Sequence, residues 1–476
     1  MAADDVDPGL PIKLHPCSNG EYLPPPVSPL VREVARRTRE RAASNARAVG
    51  MSRRQFLLSS MGAATMLTVL AACSKQAEEG EPGGTFVTSP EAERDPDAAR
   101  DALGGDDFVF DVQGHFLDYS HDYGGPVPAF PQSNCGSADP KECYSVERFL
   151  DLIFNKSDTN MIVLSALPFA GNPLSPEVMA RTIALADEVC GDERVLMQGE
   201  AHPSDGPLDV ALAAMADLRD RYGIGAWKVY THAGGPGWYL DDHDPRAAQV
   251  GERFLSQVAT LGPPIVAVHK GFSSGSPYAS PVDVGPAALN HPELSFVVYH
   301  SGYEAEHTEG PYDADAPQGI DRLIASVRAA GIGPGGNVYA ELGSTWKSVM
   351  GRPTEAAHVL GKLLVAFGED NVVWGTDSIW YGSPQDQIQA FRAFQISEQF
   401  QEQFGYPALT PQIKAKILGL NSARLYGVEP ITTRCRIDRG EIEQARQAST
   451  DGNQTFGPTT AAGALALMRA HRIATV

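Results

Sequence analysis

From residue 107 onward, short apolar runs alternate with stretches in which apolar residues recur every three or four positions. These are the signatures of buried strands and amphipathic helices. The runs predict eight strands: Phe108–Phe116, Asn160–Ala166, Arg194–Glu200, Gly225–His232, Pro264–His269, Leu294–His300, Asn337–Gly343 and Val372–Asp377. The longer period predicts helices over Ser145–Asn155, Pro176–Cys190, Pro207–Tyr222, Ala247–Leu261, Gln318–Ala330, Glu355–Phe367 and Gln385–Phe404, with a closing helix and turn over Pro411–Gly427. Eight strands, each followed by a helix or a long loop, imply an α/β chain folded as a (β/α)8 TIM-like barrel. A doubly wound open sheet is the alternative, but no G-x-G-x-x-G turn follows the first strand.

The rest of the chain lacks this alternation. Residues 1–50 form an N-terminal extension, extended over Tyr22–Pro29 and helical or disordered over Leu30–Val49. In residues 51–73, Ser52-Arg53-Arg54-Gln55-Phe56-Leu57 is a twin-arginine signature ahead of a moderately apolar stretch diluted by Ser, Thr and Gly. That stretch is too short and weak for a spanning helix. It ends in Leu70-Ala71-Ala72-Cys73, similar to a lipoprotein box, so the expectation is export by the twin-arginine route with a lipid anchor at Cys73; a simple signal peptide is the alternative. Residues 74–106, rich in Glu, Asp, Gly and Pro, read as a flexible tether. In the C-terminal tail, 429–476, an apolar helical pattern at Ala461–Ala470 packs either on the barrel or on a second subunit of a homodimer.

Composition narrows the partners. With 42% hydrophobic residues the chain can bury a substantial core, and 59 Asp and Glu against 38 Lys and Arg give a formal charge of -21. That balance argues against nucleic acid or an anionic surface as a partner and favours a small-molecule substrate. Beyond Cys17 and Cys73, four cysteines remain: Cys135, Cys143, Cys190 and Cys435. In an oxidising compartment Cys135 and Cys143, which bracket a polar loop, are a disulfide candidate, although four cysteines allow three pairings.

The chemistry-bearing residues gather at strand ends. In FVFDVQGHF (Phe108–Phe116), Gln113 and His115 alternate and so point to one face. Three later apolar runs end in His269, His300 and Asp377. Because one strand offers only neighbouring side chains to a face, a metal site at a barrel mouth draws its ligands from several strands, as this set does. On the fourth strand Lys228, Tyr230 and His232 share a face; Glu200 and Glu341 end the third and seventh strands, and Trp380 and Tyr381 follow Asp377 as candidate aromatic walls.

Residues 107–428 resemble the amidohydrolase-related family, the branch of the amidohydrolase superfamily that includes aminocarboxymuconate semialdehyde decarboxylase and the resorcylate decarboxylases. The matching features are the Asp111-x-x-x-His115 turn, the strand-ending His269 and His300, Gly375-Thr376-Asp377, and the closing NSARLYG at Asn421–Gly427, where the family commonly reads N-A-A-R-L-Y-G. The resemblance implies a metal-dependent hydrolase type of barrel with one divalent ion, zinc or manganese. His115 matches the second residue of the family's H-x-H pair, His269 the fifth-strand ligand, and Asp377 the eighth-strand carboxylate that binds metal and handles a proton. His300 matches the sixth-strand histidine that activates water or polarises the substrate. Gln113 departs from the family's usual His or Glu; an amide oxygen is a poor zinc ligand, so the ion is expected to be weakly held, harder than zinc, or absent.

The implied activity is that of an exported metal-dependent hydrolase acting on a small cyclic or carboxylated substrate, with Asp377 as general base and His300 stabilising the oxyanion. Lys228, His232, Trp380 and Glu341 are the expected substrate contacts. The alternatives are a non-oxidative decarboxylase of an aromatic or muconate-type acid, in which Asp377 protonates the ring carbon, and a lipid-tethered barrel with a degraded metal site that binds a ligand without catalysis.

Overall fold

The computed structural model describes residues 8–78, 81–119, 135, 137, 139–168, 173–273, 275–431, 433–435, 439–448 and 453–470. Eight strands, β1 (Phe110–Gly114), β2 (Met161–Leu164), β3 (Val195–Glu200), β4 (Ile224–Tyr230), β5 (Ile265–His269), β6 (Ser295–Tyr299), β7 (Val338–Glu341) and β8 (Val372–Val373), form one sheet in chain order. Every neighbouring pair is parallel. The strands are continuous apolar runs because both of their faces are buried, one against the barrel interior and one against the outer helices.

The sheet closes on itself. Val112 N donates to Trp374 O at 3.0 Å and His115 N to Ser378 O at 2.5 Å, joining the first strand to the segment that follows β8. Asp111, wholly buried, locks that seam by accepting from Thr376 N at 3.0 Å and from the Thr376 hydroxyl. The expected barrel is therefore present, and its seam brings the end of β1 beside Asp377. Most predicted helices fall within a few residues of the observed ones, such as Pro176–Cys190 and Pro353–Phe367. The predicted Gln385–Phe404 helix is broken. Residues Phe394–Ile396 instead pair antiparallel with Gly84–Phe86, and a new helix, Glu398–Phe404, starts from Ser397, whose hydroxyl accepts from Phe400 N.

Residues before the barrel are folded onto it. Helix α1 (Pro29–Ala48) packs on α2 (Ser60–Ala77), and α2 buries Met61, Met66, Leu67, Leu70 and Cys73. The Ser, Thr and Gly that dilute this apolar stretch serve close helix packing: Asn45 Nδ2 donates to Thr65 Oγ1 at 3.2 Å, and a methyl at Gly62 would strike Phe56 O. Ser52 and Gln55 of the twin-arginine signature form a reciprocal capping box that starts the Arg53–Leu57 helix, leaving both arginines exposed and Phe56 buried. Loss of residues 1–72, as lipidation at Cys73 requires, would remove α1 and most of α2 from the core. No helix among the described residues is long and apolar enough to cross a membrane.

The stretch expected as a flexible tether differs as well. Gly84–Phe86 is a strand, Asp95 caps the helix Pro96–Leu103, and Phe86, Ala92, Ala99 and Leu103 are buried. A few well-spaced apolar residues suffice where a prebuilt surface receives them. In the tail, Ala464, Leu467 and Met468 of Ala461–Ala470 are buried in the same chain, so this helix packs on the barrel. Cys135 pairs with Cys143, and Cys190 with Cys435, tying the tail to the helix after β2.

Candidate active site

Each expected catalytic or metal residue sits at a strand end on one rim. Gln113 and His115 end β1, His269 ends β5, His300 follows β6 and Asp377 follows β8. All five are at most 2% exposed. Among the described residues, the non-glycine residues with left-handed backbone include His300 (φ 64), Ser301 (φ 53), Ser344 (φ 55), Asp377 (φ 57) and Phe272 (φ 42), all around this rim. Such conformations carry a cost of about 1 kcal/mol or more each and persist where the surrounding structure aims a side chain.

Glu341 supplies part of that hold. Its Oε2 accepts from His300 N at 2.9 Å and its Oε1 from Gly343 N at 2.5 Å. Burial pushes its carboxyl up to about 8 against those two hydrogen bonds. With both oxygens committed to backbone, Glu341 shapes the His300 turn; the sequence placed it in contact with substrate.

The three histidines share one arrangement. His115 Nδ1–H donates to Ser165 O at 2.6 Å, His269 Nε2–H to Gly271 O at 3.0 Å, and His300 Nδ1–H to Gly343 O at 2.7 Å. Where a ring carries only that proton, its other nitrogen presents a lone pair. His115 Nε2 lies 3.1 Å from Asp377 Oδ1, His269 Nδ1 lies 3.4 Å from Glu21 Oε1, and His300 Nε2 lies 3.9 Å from Glu21 Oε2. Burial pushes His269 well below its ordinary value and His300 down to about 4, so both rings are neutral at neutral pH. His300 therefore offers an acceptor at Nε2, where the sequence reading had it donating to an oxyanion.

Potential ligand atoms thus converge in a buried space, where burial and the charge of Asp377 push the Glu21 carboxyl up to about 8. Gln113 adds another: its Nε2 donates to Asp377 Oδ1 at 3.1 Å, while its Oε1 and His300 Nε2 have no hydrogen-bond partner among the described residues. A buried acceptor without a positive partner costs about 1–3 kcal/mol. A divalent cation satisfies such a set at once, and imidazoles whose remaining N–H is bound to a carbonyl are the usual form of a histidine metal ligand. The residues present fit the ion that the barrel type implies.

Asp377 is held as an anion. Its Oδ2 accepts from Asn19 Nδ2 at 2.8 Å and from Ser344 Oγ at 2.5 Å. Burial pushes its carboxyl up, but in the metal-free chain His115, 3.1 Å away, and the Ser344 hydroxyl outweigh burial and hold it below the ordinary carboxylate range.

The fourth strand supplies a buried cation. Lys228 Nζ lies 3.7 Å from the Tyr299 ring centroid and 4.4 Å from that of Tyr230, with no hydrogen-bond acceptor among the described residues. Burial pushes its ammonium down to about 7, against the charges of Glu21, Asp377, Glu341 and Glu200. The His232 ring lies 4.7 Å from that of His269; burial, with the charges of Lys270 and Lys228, pushes it down to about 3. Trp380 lies 6.4 Å from the His115 ring, and the Tyr381 hydroxyl is 2.5 Å from Ser344 Oγ. Glu200 pairs with His202 at 2.9 Å.

Asn19, Glu21 and Ser344 are site residues that the sequence reading did not identify. The one signal is density: Lys13–Tyr22 holds a Lys, a His, a Cys, a Glu and a Tyr within ten positions, more chemistry than a discarded leader needs.

Residues 164–428 match the family model described as amidohydrolase, a range that leaves out β1 with Gln113 and His115. No curated protein sequence matches the chain. Among solved structures, 2,6-dihydroxybenzoate decarboxylase from Rhizobium is 15% identical, covering 67% of this chain and 99% of its own, with a TM-score of 0.38. The 5-carboxyvanillate decarboxylase of Novosphingobium aromaticivorans, with bound manganese, is 14% identical over 67% of this chain and 96% of its own, with a TM-score of 0.40. A proposed 2-pyrone-4,6-dicarboxylic acid hydrolase from Pseudomonas putida is 16% identical over 70% and 99%, with a TM-score of 0.39. Identities this low carry no reaction to this chain.

Proposed function

Because the chain belongs to the amidohydrolase family, we propose that it is a metal-dependent hydrolase of a small cyclic or carboxylated substrate. The observation that carries this reading is the state of Asp377. Three donors, from Gln113, Asn19 and Ser344, hydrogen-bond it in a buried site, and with His115 beside it the carboxyl lies below the ordinary carboxylate range. A carboxylate so held accepts a proton; it is poorly suited to deliver one to a carbon. It serves as the general base that takes a proton from the attacking water.

His115, His269 and Asp377, with Gln113 Oε1, would hold a zinc or manganese ion. When bound, that ion supplies Lewis acidity, which lowers the pKa of water and polarises a substrate oxygen. His300 Nε2 accepts a hydrogen bond and orients the water or a substrate hydroxyl. Lys228 binds a substrate carboxylate, for which its unpartnered ammonium and flanking tyrosine rings are suited. Trp380, between His115 and Tyr144, closes one wall.

Lys228 also fits a second reading, non-oxidative decarboxylation of an aromatic or muconate-type acid, since a buried ammonium can orient the substrate carboxylate that leaves as neutral CO2 while the ring carbon keeps the electron pair and takes up a proton. Incubation of a panel of lactones, amides and hydroxybenzoates in 18O-labelled water separates the two. Hydrolysis places 18O in the product acid; CO2 release without incorporation overturns it.

Two disulfides support export to an oxidising compartment, as do the exposed twin arginines. In this proposal the N-terminal region is retained and Cys73 carries no lipid, because α2 belongs to the core.

A further inference from the structure

The N-terminal segment ends in the site. Ser18 Oγ accepts from Gly20 N at 2.9 Å and donates to Tyr22 O at 2.5 Å, and the Tyr22 hydroxyl donates to Cys17 O, making residues 17–22 a tight loop. The Tyr22 ring stacks on Phe272 with centroids 4.5 Å apart. Gly20 takes φ +101, a backbone conformation that favours glycine, and a Cβ there would come 2.9 Å from Leu467 Cδ2.

This loop is anchored on all sides. Lys13 and Asp386 form a buried ion pair at 2.5 Å, Lys347 Nζ donates to His15 O at 3.1 Å, and Ser18 N donates to Pro458 O at 2.9 Å. Asn19 then joins two carboxylates. Its Nδ2 donates to Glu21 Oε2 at 2.6 Å and to Asp377 Oδ2 at 2.8 Å, and its Oδ1 accepts from Glu21 N at 3.0 Å. Glu21 is thereby fixed against His269 and His300, with one ligand atom from each of the three within 4.8 Å of the others.

We propose that Glu21 is a ligand of the divalent ion, supplying from the N-terminal segment the anionic oxygen that Gln113 does not. The assignment rests on the metal-dependent reading of the site. Ligand atoms of one zinc lie about 2.0–2.2 Å from it, hence no more than about 4 Å from one another. Glu21 Oε1 and His269 Nδ1, 3.4 Å apart, already lie within that reach. The charge count agrees: with Gln113 neutral, Asp377 alone would face a dication, and Glu21 restores a second negative ligand beside neutral imidazoles. A chain cut before Cys73 loses this ligand together with Asn19.

The test uses the full-length chain, stripped with EDTA and titrated calorimetrically with Mn2+, as wild type, Glu21→Gln and His115→Ala. The wild type is expected to bind one ion, and Glu21→Gln to bind it at least tenfold more weakly with an unchanged melting temperature in EDTA. Binding by Glu21→Gln as tight as wild type, while His115→Ala fails to bind, overturns the assignment and leaves the metal reading standing. Absence of binding by the wild type overturns both. A second measurement needs no variant: anomalous scattering from Mn2+-soaked wild-type crystals is expected to place the ion within roughly 2.0–2.6 Å of a Glu21 oxygen. An ion more than about 3 Å from Glu21 overturns the assignment.

Discussion

His115 Nε2 and Asp377 Oδ1 face each other at 3.1 Å across the seam that closes the barrel. With the His115 Nδ1 proton committed to Ser165 O, Nε2 and Asp377 must share a second proton or face a cation in this buried space. Asparagine at 377 can turn its amide N–H toward His115 and satisfy that nitrogen without a cation. Asp377→Asn is therefore expected to weaken metal binding at least tenfold and lower kcat by about 10²–10⁴. The melting temperature in EDTA should hold or rise. Metal titration, initial rates and melting in EDTA check the three parts, and a variant that keeps its metal affinity would remove the role given to this pair.

Acid should destabilise the metal-free protein in a defined window. His300 titrates at about 4 in the folded chain against an ordinary 6.5. Between these values the unfolded chain binds a proton that the folded chain does not, so stability falls as pH drops from 6.5 to 4. His300 contributes on the order of 3 kcal/mol to that fall, and His269, displaced in the same direction, continues it at lower pH. Urea midpoints in EDTA should decline more steeply over this window for wild type than for His300→Asn. Equal slopes would mean that burial does not hold the ring neutral.

Lys228 should act through KM. Lys228→Met is expected to raise KM about tenfold or more for carboxylated substrates while changing it little for uncharged ones, since a charge-assisted hydrogen bond is worth about 1.5–3 kcal/mol. With the folded value at about 7, wild-type KM for acids should climb as pH rises through 7, and the variant should lose that dependence. The unfolded lysine keeps its proton up to about 10.5, so wild-type stability should also rise with pH between 7 and 10.5; Lys228→Met should flatten that rise. Steady-state kinetics at several pH values, with urea melts, test both.

The barrel and the centre of its site are legible in the sequence because both are encoded locally. Each strand is an apolar run, and His115, His269, His300 and Asp377 declare themselves by ending one. The N-terminal contribution is not local. Asn19 meets Asp377 across 358 residues, and no periodicity around Asn19 foretells it. The stretch from Met61 to Cys73 misleads for a different reason: small and apolar side chains suit a leader and suit tight packing between helices equally well, and only the partners, such as Asn45 on Thr65, tell them apart. Glu341 ends a strand as His269 does, but the left-handed turn at His300 that claims its oxygens has no sequence signature.

Retention of the N-terminus follows from the packing of α1 and α2. Intact mass of the purified chain is expected to include Lys13–Tyr22 and to show no lipid on Cys73. A truncation beginning after residue 72 should be insoluble or melt far lower than the full chain. A stable, active product starting at Cys73 would contradict the burial of α2.

The central claim is that side chains carried by separate strands converge on a cation site. Its most direct test is metal content measured by plasma mass spectrometry after EDTA stripping, reloading with Zn2+ or Mn2+ and removal of excess. About one ion per wild-type chain is expected, falling to a trace in His269→Ala. A wild-type chain that stays empty after reloading, or a His269→Ala variant that fills as completely, would contradict the account.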